Sequence, residues 1–359
     1  MPMTFNDVSL QYRSLQKEID GAVREVLQEG PFILGPRGSA FEREFTATIG
    51  TRHGVGVGSG TSALELILDA LGVGPGDEVV VPAVSAAATA MAVRTLGARP
   101  VFADVAAETW TIDPASVRDR IGPRTRAIVA VHLYGMPADM EALAALGPPV
   151  VEDAAQGAGS ILGSSACGSI GVAAAFSFYP TKNLGAYGDG GMVVTSDDRI
   201  ADHVRKTRNY GQTRNYVSDI RGWNSRLDEV QAAILRVKLP RLAVWNQRRN
   251  SIGERYDDAL GHAGFRTQTL RGWTNRHLYV IRHRRRDALR EFLTMAGIPT
   301  LIHYPSALPE HPAFADTDPD DCPEARNMAG EVCSLPIHAF MSDEEVRLVT
   351  EAVVGFGPE

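Results

Sequence analysis

Apolar residues at Leu15, Ile19, Val23, Val26 and Leu27 recur near helical spacing, which predicts an amphipathic helix over residues 10–29. A turn-rich break over 30–36 separates it from a second predicted helix over 39–49, where Phe41 and Phe45 share a face. The pattern then changes to short apolar runs alternating with longer mixed stretches. The runs at 54–58, 79–81, 99–103, 127–131 and 150–153 predict strands. Between them, helices are predicted over 63–71, from after Pro82 as far as Val93, over 114–120 and over 137–146. Pro114 sits at a favoured first-turn position of its helix. This alternation predicts a mostly parallel central sheet with helices on both faces, an α/β fold.

Two more apolar runs follow. One starts at Ala175 and is stopped by Pro180, which has no N–H to donate to a ladder; the other covers 192–195. They flank a loop containing Gly185, Gly188, Gly190 and Gly191. Helices are predicted over 200–208 and 228–239, with Pro240 ending or kinking the second, and the polar loop reaching Asp219 is a candidate lid or partner contact. Beyond it the pattern predicts a helix over 241–260, strands at 273–282 and 301–304, and a helix over 286–296 closed by Gly297. The last helix, over 342–354, has Ser342 as its N-cap and acids in its first turn. The mixed order predicts a smaller α+β unit, dividing the chain into a large domain at 1–240 and a small C-terminal one at 241–359.

At 359 residues the chain can bury a large core. Its net charge of −7 argues against general nucleic-acid binding. No uncharged apolar run is long enough to span a bilayer, and the N-terminal residues lack the basic and apolar pattern of a signal peptide. Cys167, Cys322 and Cys333 are scattered, odd in number and without metal-ligand spacing, as expected of a reducing cytoplasm. The basic runs at 205–208 and 282–286 are solvated faces or, alternatively, a local site for a diphosphate.

Candidate chemistry gathers at strand ends. Lys182 follows the run that Pro180 stops, in a glycine-rich loop where backbone can approach a ligand closely. Asp153 ends the strand at 150–153 and is followed by small residues. Open α/β sheets bind ligands at the carboxyl ends of their strands. A lysine and an aspartate so placed fit pyridoxal phosphate (PLP), the lysine forming a Schiff base with the cofactor and the aspartate keeping its pyridine nitrogen protonated. The turn Ser59-Gly60-Thr61-Ser62, between a strand and a helix, suits a phosphate. The same turn, from Gly58 to Ala63, also fits a dinucleotide fingerprint. That reading needs an acid at the end of the next strand, and Asp77 and Glu78 precede the strand instead.

The blocks Glu152-Asp153-Ala154-Ala155-Gln156, Phe176-Ser177-Phe178-Tyr179-Pro180-Thr181-Lys182-Asn183-Leu184-Gly185 and Gly188-Asp189-Gly190-Gly191 resemble the DegT/DnrJ/EryC1/StrS sugar aminotransferase family over nearly the whole chain. The resemblance implies the PLP-dependent aspartate aminotransferase fold (fold type I). It gives Lys182 the catalytic role and assigns Gly60, Thr61, Asp153, Gln156, Ser177 and Asn224 to the cofactor. Asn224, in a Gly222-to-Leu227 block with leucine where methionine is usual, implies a homodimer with shared active sites. His303-Tyr304-Pro305 and His132-Leu133-Tyr134 resemble enzymes that aminate nucleotide-linked keto-deoxysugars, more like those acting at C3 than at C4. Tyr187, Tyr210 and His303 are candidate sugar contacts. The implied reaction moves an amino group from L-glutamate, or glutamine, to a dTDP-type keto-deoxysugar. A keto-cyclitol acceptor is the alternative; an NAD-dependent dehydrogenase, a family dehydratase (histidine in place of Lys182) and a non-catalytic sensor are disfavoured. Two departures stand out: Ala86 replaces an aromatic residue that usually stacks on the cofactor ring, and Asp189 stands where glutamate is common.

Overall fold

The computed structural model describes residues 3–214, 216–316 and 321–358. Its centre is a seven-stranded sheet of β1 (His53–Val57), β2 (Glu78–Pro82), β3 (Arg99–Ala103), β4 (Thr125–Val131), β5 (Val150–Asp153), β6 (Ala173–Ser177) and β7 (Gly191–Thr195). The spatial order is β1-β7-β6-β5-β4-β2-β3. The pairs from β3 through β6 are parallel, while β7 runs antiparallel to both β6 and β1. The central strands are apolar and buried almost throughout, as a sheet covered on both faces requires. The chain therefore has the α/β fold that its hydrophobic pattern predicts.

Two side-chain clusters hold the layers together. On one side, Phe41 and Phe45 of the helix Pro36–Ile49 pack edge-on against Phe178 and Phe176, with the Phe45 and Phe176 ring centroids 4.9 Å apart. On the other, the helix Gly60–Ala70 presents Leu64, Ile67 and Leu68 to a core shared with β2 and β4. The N-terminus of the helix Pro36–Ile49 is closed from a distance. The buried Glu229 carboxylate accepts hydrogen bonds from the N–H groups of Gly35, Arg37 and Gly38 at 2.8–2.9 Å. A Cβ at Gly35 or Gly38 would stand 2.7 Å from that carboxylate, so both glycines make room for it.

The C-terminal part holds the long helix Leu242–His262 and a three-stranded antiparallel sheet, Arg266–Thr267, Tyr279–Arg282 and Val332–Leu335. The helices Arg286–Met295 and Asp343–Phe356 pack against it over Leu289, Leu293, Val346, Val349 and Val353. Ser342 caps the last helix in a reciprocal capping box with Glu345. Among the described residues no helix is long and apolar enough to cross a membrane.

Several boundaries differ from the sequence expectation. The first predicted helix is two, Val8–Ser14 and Gln16–Glu29, because Leu15 leaves the helical region at φ −128°. The helix expected over 137–146 shrinks to Met140–Ala144, capped by Asp139, which accepts from Ala142 N–H. Only Tyr279–Arg282 of the run 273–282 pairs as a strand; Arg276, at φ +47°, turns the chain ahead of it. Residues 301–304 form no strand, and Leu301 alone bridges to Ser334. The helix after β1 begins at Gly60, three residues earlier than expected, which places Gly60 and Thr61 in its first turn.

Candidate active site

The register Val131↔Asp153↔Ala175 sets Asp153 at the carboxyl end of β5, between β4 and β6. Its buried carboxylate is held from two directions. Thr89 Oγ1 donates to Oδ2 at 2.8 Å, and Ala155 N–H donates to Oδ1 at 3.2 Å. Because the Thr89 proton points at Asp153, the neighbouring Ser85 hydroxyl, 2.9 Å away, donates to Thr89 in turn. Burial raises the Asp153 pKa; the Thr89 and Ala155 donors and the Lys182 charge oppose the rise.

Lys182 lies just past β6, where its N–H donates to Tyr179 O at 2.8 Å and closes a turn. The loop then folds back so tightly that a Cβ on Gly185 would stand 2.4 Å from Pro180 O. Burial pushes the Lys182 amine down to about 8, against the pull of the Asp153 carboxylate. A lysine at that value is about one-tenth neutral at pH 7, far more than an ordinary lysine, and the neutral form is the one a nucleophile or proton carrier requires.

Six of the residues singled out in the sequence, Gly60, Thr61, Asp153, Gln156, Ser177 and Lys182, line one cavity of about 240 Å³. Its far end is the start of the helix Gly60–Ala70. Ser59 caps that helix, accepting from Ser62 N–H at 3.1 Å, while the first-turn N–H groups of Gly60 and Thr61 have no intrahelical acceptor. Space is the reason for glycine here: a Cβ on Gly60 would lie 2.8 Å from Ser177 Cβ, and one on Gly191 would lie 2.3 Å from the Ser59 backbone. Ala86 also borders the cavity and contributes only a methyl group there. Asp77 and Glu78 lie at the other end of the sheet, Glu78 tied to Arg99 and Arg124, so neither stands at the carboxyl end of β2, where a dinucleotide ribose would need an acid.

A second cavity of about 190 Å³ shares Gln156, Tyr179 and Lys182 with the first and extends to His277, His303 and Tyr304. Gln156 joins the two. Its Oε1 accepts from Tyr134 N–H at 2.6 Å, and its Nε2 donates to Tyr304 Oη at 3.0 Å. His303 is half-buried and packs against Phe5; burial, with Lys182 nearby, lowers its pKa to about 4. The strand beneath is fixed by Glu152, fully buried and facing away from Asp153. It accepts from the N–H groups of Gly168, Ile170 and Gly171 at 2.6–2.8 Å. His132 Nδ1 accepts from Ala138 N–H, so its Nε2 carries the proton and donates to Glu152 at 2.8 Å.

Three candidates lie outside these cavities. Asn224 is exposed and bridges to Asn209. Tyr210 is exposed, at φ +60°, beneath the Arg226 guanidinium. Tyr187 packs against Tyr12 and under the Lys238 amine, 3.7 Å from its ring centroid. Conversely, sequence pattern assigns no role to Thr89, Ser85 or His277, and singles out Tyr304 only within the His303-Tyr304-Pro305 block. Thr89 could have been noticed as the one hydroxyl in the alanine-rich stretch 86–92; Ser85 and His277 carry no comparable signal.

The arrangement fits pyridoxal phosphate. A depressed-pKa lysine and a hydrogen-bonded buried carboxylate share a cavity with free N–H groups at a helix start, in a turn with no room for a Cβ at Gly60.

The family model described as "DegT/DnrJ/EryC1/StrS aminotransferase family" matches residues 13–354. The chain is 47% identical to the "Erythromycin biosynthesis sensory transduction protein EryC1" of Saccharopolyspora erythraea, covering 96% of each chain. It is 44% identical to the "dTDP-3-amino-3,4,6-trideoxy-alpha-D-glucose transaminase" of Streptomyces venezuelae, over 97% of this chain and 94% of that one. The structure superposes on S. venezuelae DesV, solved in complex with a ketimine intermediate, with a TM-score of 0.96 at 42% identity, covering 99% of this chain and 98% of that one.

Proposed function

The chain belongs to the DegT/DnrJ/EryC1/StrS aminotransferase family, and we propose from that membership that it transfers an amino group from L-glutamate or glutamine to C3 of a dTDP-linked keto-deoxysugar. The observation that carries the reading is the meeting of Lys182 and Asp153 in one cavity with the Gly60–Thr61 turn. Lys182 would hold the cofactor and Asp153 would face its pyridine nitrogen. Gly60, Thr61 and Ser177 would receive its phosphate, and Gln156 would contact its ring oxygen. When bound, pyridoxal phosphate supplies the electron sink that makes the substrate α-proton removable.

The chain's own groups supply the rest. Neutral Lys182 takes the proton from the substrate carbon and returns it to the cofactor side, a transfer its lowered pKa favours. Thr89 and Ala155 donate to Asp153 and favour its charged form, and that charge would keep the pyridine nitrogen of a bound cofactor protonated. The outer cavity beside His277, His303 and Tyr304 receives the sugar. Asn224 and Tyr210, exposed on the segment after the helix Asp198–Thr207, would complete the site of a second copy in a cytoplasmic homodimer. One relative bears a sensory name, but a protein that only senses has no need of a reactive lysine beside a buried aspartate.

The test is the absorbance of the purified protein with pyridoxal phosphate, before and after L-glutamate. Conversion of the lysine-bound band to the pyridoxamine band, followed by its reversal with a dTDP-3-keto-6-deoxyhexose, is the expected result. Reversal by a keto-cyclitol and not by the nucleotide sugar would transfer the assignment to cyclitol amination. Absence of a lysine-bound band would overturn it.

A further inference from the structure

His277 belongs to none of the roles above, yet it lines the outer cavity beside Lys182. A chain of asparagine amides fixes its protonation. Asn246 Nδ2 donates to Ala158 O at 3.0 Å, which turns Asn246 Oδ1 toward Asn183. Asn183 Nδ2 then donates to Asn246 Oδ1 at 2.8 Å and to Asn275 O at 3.0 Å. Asn183 Oδ1 is left facing His277 Nδ1 at 3.0 Å. An amide oxygen only accepts, so Nδ1 carries the proton and Nε2 holds a bare lone pair. The backbone that carries the ring is fixed as well: the His277 main-chain N–H donates to Asn275 Oδ1 at 2.9 Å, and Asn275 Nδ2 is anchored on Gln156 O and Ala158 O. Among the described residues no hydrogen bond reaches Nε2. Burial, then the Lys182, Arg249 and His303 charges, hold the imidazole well below its ordinary pKa, so it remains neutral.

The same cavity contains the complementary group. Tyr304 Oη accepts from Gln156, which leaves its own proton to give, and burial raises that phenol to about 12. An acceptor and a donor on one small cavity match a hydroxyl group, which can satisfy both.

We propose that His277 is a specificity-determining acceptor that binds a sugar hydroxyl in the outer cavity, with Tyr304 donating to the same or an adjacent oxygen. This deepens the nucleotide-sugar reading and rests on it. A substrate lacking the hydroxyl would leave the His277 lone pair and the Tyr304 proton without partners, and sites built this way reject such analogues strongly.

Two measurements test it on the full chain loaded with cofactor. In ¹⁵N-histidine NMR, the signal lost in His277→Phe should be that of an Nδ1–H tautomer; an Nε2–H ring or an imidazolium overturns the proposal. In calorimetric titrations with dTDP and dTDP-glucose, His277→Phe should bind dTDP-glucose about tenfold more weakly and dTDP as the unsubstituted protein does. Unchanged affinity for dTDP-glucose, or equal loss for both ligands, overturns the role of His277 alone. An unsubstituted protein that binds neither ligand overturns the nucleotide-sugar reading and this role with it.

Discussion

Replacing Thr89 with valine removes one hydroxyl and almost no volume, so it isolates the hydrogen bond to Asp153. That bond, 2.8 Å long and ending on a buried carboxylate, is of the charge-assisted kind, with a contribution of about 1.5–3 kcal/mol. Its loss should raise the Asp153 pKa further. The sign follows from burial. Asp153 already titrates above its unfolded value, so its ionisation at neutral pH costs stability, and Thr89 reduces that cost. In the cofactor-free protein, Thr89→Val should therefore lower the melting temperature at pH 7.5 by several degrees. The deficit should shrink as the pH falls through the Asp153 pKa, because a protonated carboxyl no longer needs the donor. Thr89→Ser should recover most of the loss. A deficit of the same size at pH 7.5 and at acid pH would mean that Thr89 contributes by packing, and the electrostatic reasoning would be refuted.

Lys182→Ala should lose all glutamate-dependent conversion of the cofactor band while its circular dichroism spectrum stays native; measurable turnover would remove Lys182 from the chemistry. Gly191→Ala places a Cβ 2.3 Å from the Ser59 backbone and should weaken pyridoxal phosphate binding at least tenfold, read by fluorescence titration. Lys238 is fully buried, donates to Gly185 O at 2.7 Å, and is lowered by burial to about 7, so the folded state sheds its proton long before the unfolded chain does. Its charge therefore costs stability at low pH, and that cost is relieved between about pH 7 and 10. Lys238→Met should flatten this rise in melting temperature relative to the unsubstituted protein; identical slopes would contradict it. Asn224→Ala should reduce cofactor retention in a dimer measured by light scattering, whereas a fully active monomer would exclude a shared site.

The strand-and-helix alternation of the large sheet was legible because buried strands are short continuous apolar runs, and β1 to β7 follow them closely. Lys182 and Asp153 were legible because one follows such a run and the other ends one. The run at 301–304 misled for the same reason: Leu301 and Ile302 are apolar, but the segment borders the outer cavity and meets only Ser334 across a single bridge. Tyr187 sits close in sequence to cavity residues and Tyr210 well beyond them, but neither lines either cavity; the path of the backbone decides that, and spacing does not reveal it. Thr89, Asn183 and His277 act through partners 64 to 94 residues away, so no local pattern announces those partnerships, even where a residue stands out as Thr89 does among alanines. The break at Leu15 is a tertiary effect, with Leu15 drawn into a cluster with Ile234 and Trp245.

Glu152 and Asp153 are neighbours on β5 with the same acidic chemistry, yet one secures three backbone N–H groups behind the sheet and the other faces the ligand cavity. Their division of labour comes from the two-residue period of a strand alone. Sliding β5 by one position would exchange them, pointing the longer acid at the cavity and leaving the loop at 168–171 without its anchor. Pairing alignment between β4, β5 and β6 is thus itself a condition for reactivity. Damage to apolar residues that do not line the cavity, such as Val129 or Val151, could silence the protein by misaligning that strand while every reactive side chain remained in the sequence.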